Sequence, residues 1–140
     1  MRPEELRIGN LLYHKTYKEI IIVNGIHRWN GWKISFDKKI LNSKDEFVNI
    51  PCFNDIYCFK LVPLTEEWLF ELKLKNNLKY LSKHYYKFPG IEYKLGNELI
   101  YSSLNNSIYR YNVLLCSIEY VHQLQNLYFA LIGKELIIKQ

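Results

Sequence analysis

The sequence has few of the residues on which redox, metal-dependent and membrane-spanning proteins rely. Its three cysteines, Cys52, Cys58 and Cys116, form an odd set with five residues between the first two. That spacing matches neither a CxxC redox pair nor a zinc knuckle. With no secretory leader in the opening MRPEELRIGN, the thiols are expected to be free and largely buried in a reducing, cytoplasmic setting. No apolar run approaches the roughly 20 residues needed to span a bilayer, so no membrane partner is expected. The six glycines are scattered as turn residues and form neither GxGxxG nor a P-loop, which removes the common phosphate cradles.

Catalytic inventories are equally thin. His14, His27, His84 and His122 are the only histidines, and none stands at metal-ligand spacing from another histidine or from a cysteine. The HQLQN run at His122 lacks both the glutamate and the second histidine of HExxH. Cys116 and His122 are separated by a strand-to-helix junction that does not fix them as a thiol–imidazole pair. Glu66-Glu67 and Asp45-Glu46 are adjacent, so their side chains diverge on a strand or a helix and do not converge as a hydrolytic carboxylate pair. No catalytic residue, cofactor, metal or small-molecule substrate is expected, and the chain reads as a binder, not an enzyme.

What is present is a folded, tyrosine-rich chain with a lopsided charge. At 140 residues, 49% of them apolar, it has the length of one domain over 1–140 and a composition outside the disordered range. Twelve tyrosines supply rings with a polar tip, suited to half-buried positions. Residues 1–72 carry ten basic and ten acidic side chains, and residues 95–140 carry three of each. The whole formal +5 therefore sits between Lys73 and Lys94, where six lysines face only Glu92. A charge confined to one segment makes a directional field that attracts a polyanion. The same lysines would also suit the solvated face of an ordinary hairpin.

Periodicity predicts an α+β fold. Leu6–His14, Tyr17–Ile26 and Gly31–Asp37 read as strands divided by turn residues such as Asn24-Gly25 and Asn30-Gly31. In meander order they suggest a curled, partly barrel-like sheet, with Cys58–Leu64 as a further strand ending at Pro63. Thr65 reads as the N-cap of a short middle helix, with Glu66 and Glu67 in its first turn and Trp68, Leu69 and Leu72 on one face. Four strands follow, YLSKHYYKF, GIEYKLG, ELIYSSL and SIYRYNV, bounded by Pro89-Gly90, Gly96-Asn97 and Asn105-Asn106. Val121, Leu124, Leu127, Tyr128 and Leu131 then recur at three- and four-residue steps. They predict a C-terminal amphipathic helix packed on the sheet and stopped by Gly133, with His122, Asn126 and Phe129 as a flanking row.

The basic segment holds the candidate binding residues: Lys73, Lys75, Lys79, Tyr80, Lys83, His84, Tyr85, Tyr86, Lys87 and Lys94. Lys79, Lys83 and Lys87 recur every four residues, which aligns them on a helix and also on a strand, where odd positions share a face. Cations that follow a backbone, with rings on which bases stack, are what single-stranded nucleic acid requires, and each stack contributes about 1–3 kcal/mol. An acidic protein surface would be met by the same pattern.

Three blocks, ELRIGNLLY from Glu5, LTEEWL from Leu64 and YVHQLQNLYFALIGKEL from Tyr120, resemble in order a family of small proteins encoded by phages, prophages and mobile elements of Bacteroidota. Gly133, Glu135 and Leu136 match the GxEL ending of that family, and the middle of the chain diverges from it. The resemblance implies a protein without catalytic activity, and points toward anti-CRISPR proteins that act on the RNA-guided RNase Cas13b (type VI-B). It implies as partner a host CRISPR effector nuclease, its guide RNA, or both, met in the cytoplasm of a host bacterial cell. A general nucleic-acid-binding accessory protein and a phage structural or interaction protein are the alternatives.

Overall fold

The computed structural model describes residues 1–65, 67–68, 79–85, 88–95, 99–102, 106–110 and 113–136, with the backbone alone at 79–85, 88–95 and 99–100. The packing divides the chain into two compact units, Met1–Val62 and Pro63–Gln140.

In the first unit, β1 (Leu11–His14) pairs antiparallel with β2 (Glu19–Ile22) on one side and β6 (Phe59–Leu61) on the other. A second sheet runs β3 (Gly25–Arg28), β4 (Trp32–Leu41), β5 (Phe47–Asp55). Leu6, Leu12, Ile21, Val23, Ile34, Phe36, Ile56 and Phe59 form one buried cluster drawn from both sheets. Each such side chain withdrawn from water contributes about 1.5–3 kcal/mol.

Several expected elements have different bounds here, for local reasons. Leu6–Asn10 is not strand: Asn10 is buried and its side-chain oxygen accepts from the Arg7 amide at 2.7 Å, while Gly9 adopts φ +95°. The expected Tyr17–Ile26 strand splits into β2 and β3, which lie in different sheets, so Asn24-Gly25 is not a hairpin turn. Gly25 serves close approach instead, since a Cβ there would collide with Ser35 Oγ and stand 2.7 Å from His27 Nε2. Asn30-Gly31 does form the expected turn between β3 and β4, with φ of +47° and +95°. β4 runs on to Leu41 because β5, an unanticipated strand, pairs with it from Lys33↔Asp55 to Leu41↔Phe47. The connecting turn is closed by Asn42, whose Oδ1 accepts from the amides of Lys44 at 2.8 Å and Glu46 at 3.0 Å. The sheets are open, and among the described residues there is no closed barrel.

The second unit begins with the expected cap, Thr65 Oγ1 accepting from the Trp68 amide at 3.4 Å. Glu67 and Trp68 are helical, and the remainder of the expected middle helix lies outside the described residues. Five antiparallel strands follow in sequence order: β7 (Lys79–Tyr85), β8 (Phe88–Leu95), β9 (Leu99–Ser102), β10 (Ser107–Arg110) and β11 (Val113–Ser117). Pro89-Gly90 falls inside β8, not in a turn. Residues 88–91 have β7 on one side and, in the described register, no β9 residue on the other. Proline, lacking an N–H, is tolerated at such an edge. The expected Ser107–Val113 strand ends at Arg110, and Val113 opens β11.

Helix α1 (Val121–Ile132) closes the unit. Gln123 Oε1 accepts from the amides of Glu119 and Tyr120 at 2.9 and 3.1 Å, pinning its start, and Gly133 ends it in the left-handed conformation at φ +78°. Leu124 and Tyr128 pack with Tyr101 of β9 and Ile108 of β10, with Leu127 and Leu131 at the margin. His122 and Gln125 are buried as well, so the helix buries a wider face than the apolar stripe alone; of the expected flanking row only Phe129 is exposed. No helix among the described residues is long and apolar enough to cross a membrane.

Candidate functional site

The basic segment is a β-hairpin where it is described. Strand β7 carries Lys79, Tyr80, Lys83, His84 and Tyr85, and β8 carries Lys94. Their register sets Lys79 opposite Lys94, Tyr80 opposite Tyr93, Lys83 opposite Gly90, His84 opposite Pro89 and Tyr85 opposite Phe88. Positions 79, 83 and 94 are thereby gathered on two neighbouring strands, although 79 and 94 are fifteen residues apart in sequence. Lys73, Lys75, Tyr86 and Lys87 lie outside the described residues. Among the described residues β7 is the outermost strand of its sheet, so the hairpin forms one border of the second unit's sheet as described.

Elsewhere, His14 is absorbed by structure. His14, at the end of β1, is buried; its Nδ1 accepts from the amides of Thr16 and Tyr17, each at 3.2 Å. That acceptor role leaves the proton on Nε2, which donates to Asn54 Oδ1 at 3.2 Å. The ring stacks on Tyr17 at 4.1 Å and meets Phe59 edge-on at 5.0 Å. Lys38 Nζ lies over the Tyr17 ring, 3.4 Å from its centroid. Sequence reasoning did not find this group. The alternation of Leu12 and His14 in β1 was the available signal, but Phe36, Asn54 and Phe59 come from far along the chain.

His27 is exposed on β3, with Nε2 3.3 Å from Ser35 Oγ and its ring 5.3 Å from that of Phe53. His122 is buried in α1, with its ring 6.0 Å from Tyr120. Cys52 and Cys58 are half-buried free thiols, whereas Cys116 is exposed, counter to the expectation that the thiols are largely buried. Cys116 and His122 thus differ in environment, one at the surface and one in the core. Among the described residues no three His, Cys, Asp or Glu side chains converge to hold a metal ion.

Asp55 shows a clear shift. The Lys33 ammonium, bonded to Oδ2 at 2.8 Å, and the Tyr57 amide, bonded to Oδ1 at 3.2 Å, hold its carboxyl below the usual carboxylate range. Its role is local: it ties β5 to β4 and caps the 3-10 turn Ile56–Cys58.

No family model, curated protein or solved structure matches this chain. The functional reading therefore rests on the placement of charge and on the hairpin that carries it.

Proposed function

We propose that the chain is a non-enzymatic protein of a phage or mobile element that binds a host RNA-guided nuclease and blocks it, with the 79–94 hairpin meeting RNA held by the effector. The observation that carries this reading is the confinement of the entire net positive charge to Lys73–Lys94. The pairing of β7 with β8 brings Lys79, Lys83 and Lys94 of that segment onto two neighbouring strands. Like charges set across a ladder are unfavourable, and a bound phosphate backbone relieves the repulsion. Tyr80, His84, Tyr85 and Tyr86 are assigned to stacking or packing beside the cations, and Lys73, Lys75 and Lys87 to extending the basic path. Cas13b with its guide RNA is the effector proposed, on the resemblance of the amino-terminal, middle and carboxy-terminal blocks.

The experiment compares binding to guide-loaded Cas13b, to Cas13b alone and to the guide alone, together with target-RNA cleavage, for the parent and a Lys79→Ala/Lys83→Ala/Lys87→Ala variant. Tight binding to the loaded effector, inhibition of cleavage and loss of both in the variant are expected. Equal inhibition by the variant would reject the hairpin contact. Comparable binding to any RNA without inhibition would make the chain a nucleic-acid-binding accessory protein instead.

A further inference from the structure

The chain contains two Asn-Gly pairs, Asn24-Gly25 and Asn30-Gly31, and the fold of the first unit treats them in opposite ways. Such a pair carries the means of its own covalent modification. Glycine has no Cβ to hinder approach, so its amide nitrogen can reach the side-chain carbonyl carbon of the asparagine before it wherever the backbone is free to bring them together. The surroundings decide which pair has that freedom.

Asn24-Gly25 is held in place. Gly25 is buried where β3 begins and is paired with Ser35 of β4. A Cβ on it would collide with Ser35 Oγ and stand 2.7 Å from His27 Nε2, which leaves no room for a ring to close there. The residues before it are tied as well, since the Val23 amide donates to the Asn10 carbonyl and the Asn24 amide to the Ser35 carbonyl, each at 2.9 Å. Asn30-Gly31 stands clear of such contacts. Both residues are exposed, between the two strands of the β3–β4 hairpin, with φ of +47° and +95°. Apart from its chain neighbours, the nearest atom to a Cβ on Gly31 would be Asp55 Oδ2, at 4.0 Å, an ordinary van der Waals separation. Loop tips of this kind open at little cost, whereas a buried, paired strand opens only with part of its sheet.

We propose that Asn30 is a site of spontaneous deamidation, with aspartate and isoaspartate as the products and Asn24 spared. The Gly31 amide gives up its proton to solvent and its nitrogen attacks Asn30 Cγ. The new C–N bond closes a five-membered succinimide, and the side-chain nitrogen leaves as ammonia. Water is the one co-reactant. Its addition at Cγ breaks the bond just formed and restores the ordinary backbone with a side-chain carboxylate, while addition at the backbone carbonyl carbon routes the chain through the side chain as isoaspartate. The first product is tolerated, because aspartate shares with asparagine the capacity for left-handed φ. The second inserts a methylene into the turn, and so displaces the 2.9 Å bond from the Trp29 amide to the Gly31 carbonyl and the Arg28↔Trp32 pairing beside it. Either product replaces a neutral side chain by an anion and lowers the net charge by one.

The test follows the full chain at neutral pH and physiological temperature, folded and in concentrated urea, by mass spectrometry of tryptic peptides. Cleavage after Lys18, Arg28 and Lys33 puts Asn24 in EIIIVNGIHR and Asn30 in WNGWK, so the two sites are read separately. In the folded chain WNGWK is expected to gain one mass unit with time and EIIIVNGIHR to do so about tenfold more slowly, with the difference abolished in urea. An isoaspartyl methyltransferase is expected to transfer methyl groups to the aged parent and not to aged Asn30→Gln, whose longer side chain would have to close a six-membered ring. Equal reaction of both peptides in the folded chain overturns the inference. So does a WNGWK peptide that stays intact in the folded chain, or an Asn24 that remains the slower site in urea, where structure no longer protects it. An aged parent that accepts no methyl group overturns the isoaspartate branch. None of these readings involves RNA or a nuclease, so they stand or fall apart from the proposed function.

Discussion

His14 illustrates how a residue type associated with chemistry becomes structural. Two backbone amides occupy Nδ1, the Asn54 side chain takes the Nε2 proton, and aromatic rings close over the faces. With both nitrogens used, the ring has no lone pair or proton to offer a substrate. Asp55 shows the same principle with a charge. Its carboxylate is held below the usual range by Lys33 and by the Tyr57 amide, so the folded state binds its proton less readily than the unfolded chain does. The stability this contributes is fully present above the ordinary carboxylate range and is lost as pH falls through the depressed folded value. Thermal midpoints measured from neutral pH down into strong acid should therefore fall less steeply for Asp55→Asn than for the parent, with the variant already lower at neutrality. Parallel curves would show that Asp55 does not couple folding to protons.

At the scale of elements, the most legible feature was α1, because its signals are local. The three- and four-residue spacing of Val121, Leu124 and Tyr128 and the stop at Gly133 are present in the primary sequence, and the helix spans Val121–Ile132 accordingly. Gly133 holds φ +78°, a conformation that costs a residue with a Cβ about 1 kcal/mol or more. Gly133→Ala is expected to lower unfolding stability by roughly 1 kcal/mol, read from the urea midpoint at constant slope. An unchanged midpoint would mean that the cap relaxes into another turn. The strands were less legible. β5 was not anticipated because Asn49 and Pro51 interrupt its pattern; it exists because Asn42 closes a tight turn and β4 supplies a ladder for nine residues. β11 was hidden differently, since Leu114 and Leu115 lie on an exposed border where alternation against a core leaves no mark. Gly25 looked like a hairpin glycine beside Asn24, but its need for a missing side chain comes from Ser35, ten residues away.

For the whole molecule, the relevant quantity is the distribution of charge. A net +5 restricted to one segment predicts RNA affinity that falls with salt, since each neutralised phosphate releases counterions. Titration of a labelled single-stranded RNA between roughly 50 and 200 mM salt should give a slope that becomes shallower by about two when Lys79, Lys83 and Lys94 are replaced by alanine. The equivalent replacement of Lys15, Lys18 and Lys60 should leave the slope alone, because these lysines belong to residues 1–72, whose basic and acidic side chains balance. Equal losses from both sets would mean that affinity follows total charge and not its location.

The sequence by itself determined where the charge lies, the helix near the C-terminus, and the positive-φ positions at Asn30-Gly31 and Gly133. Those properties depend on residues within a few positions of one another, and composition, periodicity and capping read them directly. Only the tertiary structure decided that the first half divides into two small sheets without closing into a barrel. It also turned the basic segment into a hairpin with Lys79 opposite Lys94, buried His14, and left β11 bare at a border. Each of these depends on a partner strand or side chain distant in sequence, and a local pattern carries no information about which distant segment will supply the other half of a ladder or the other wall of a core.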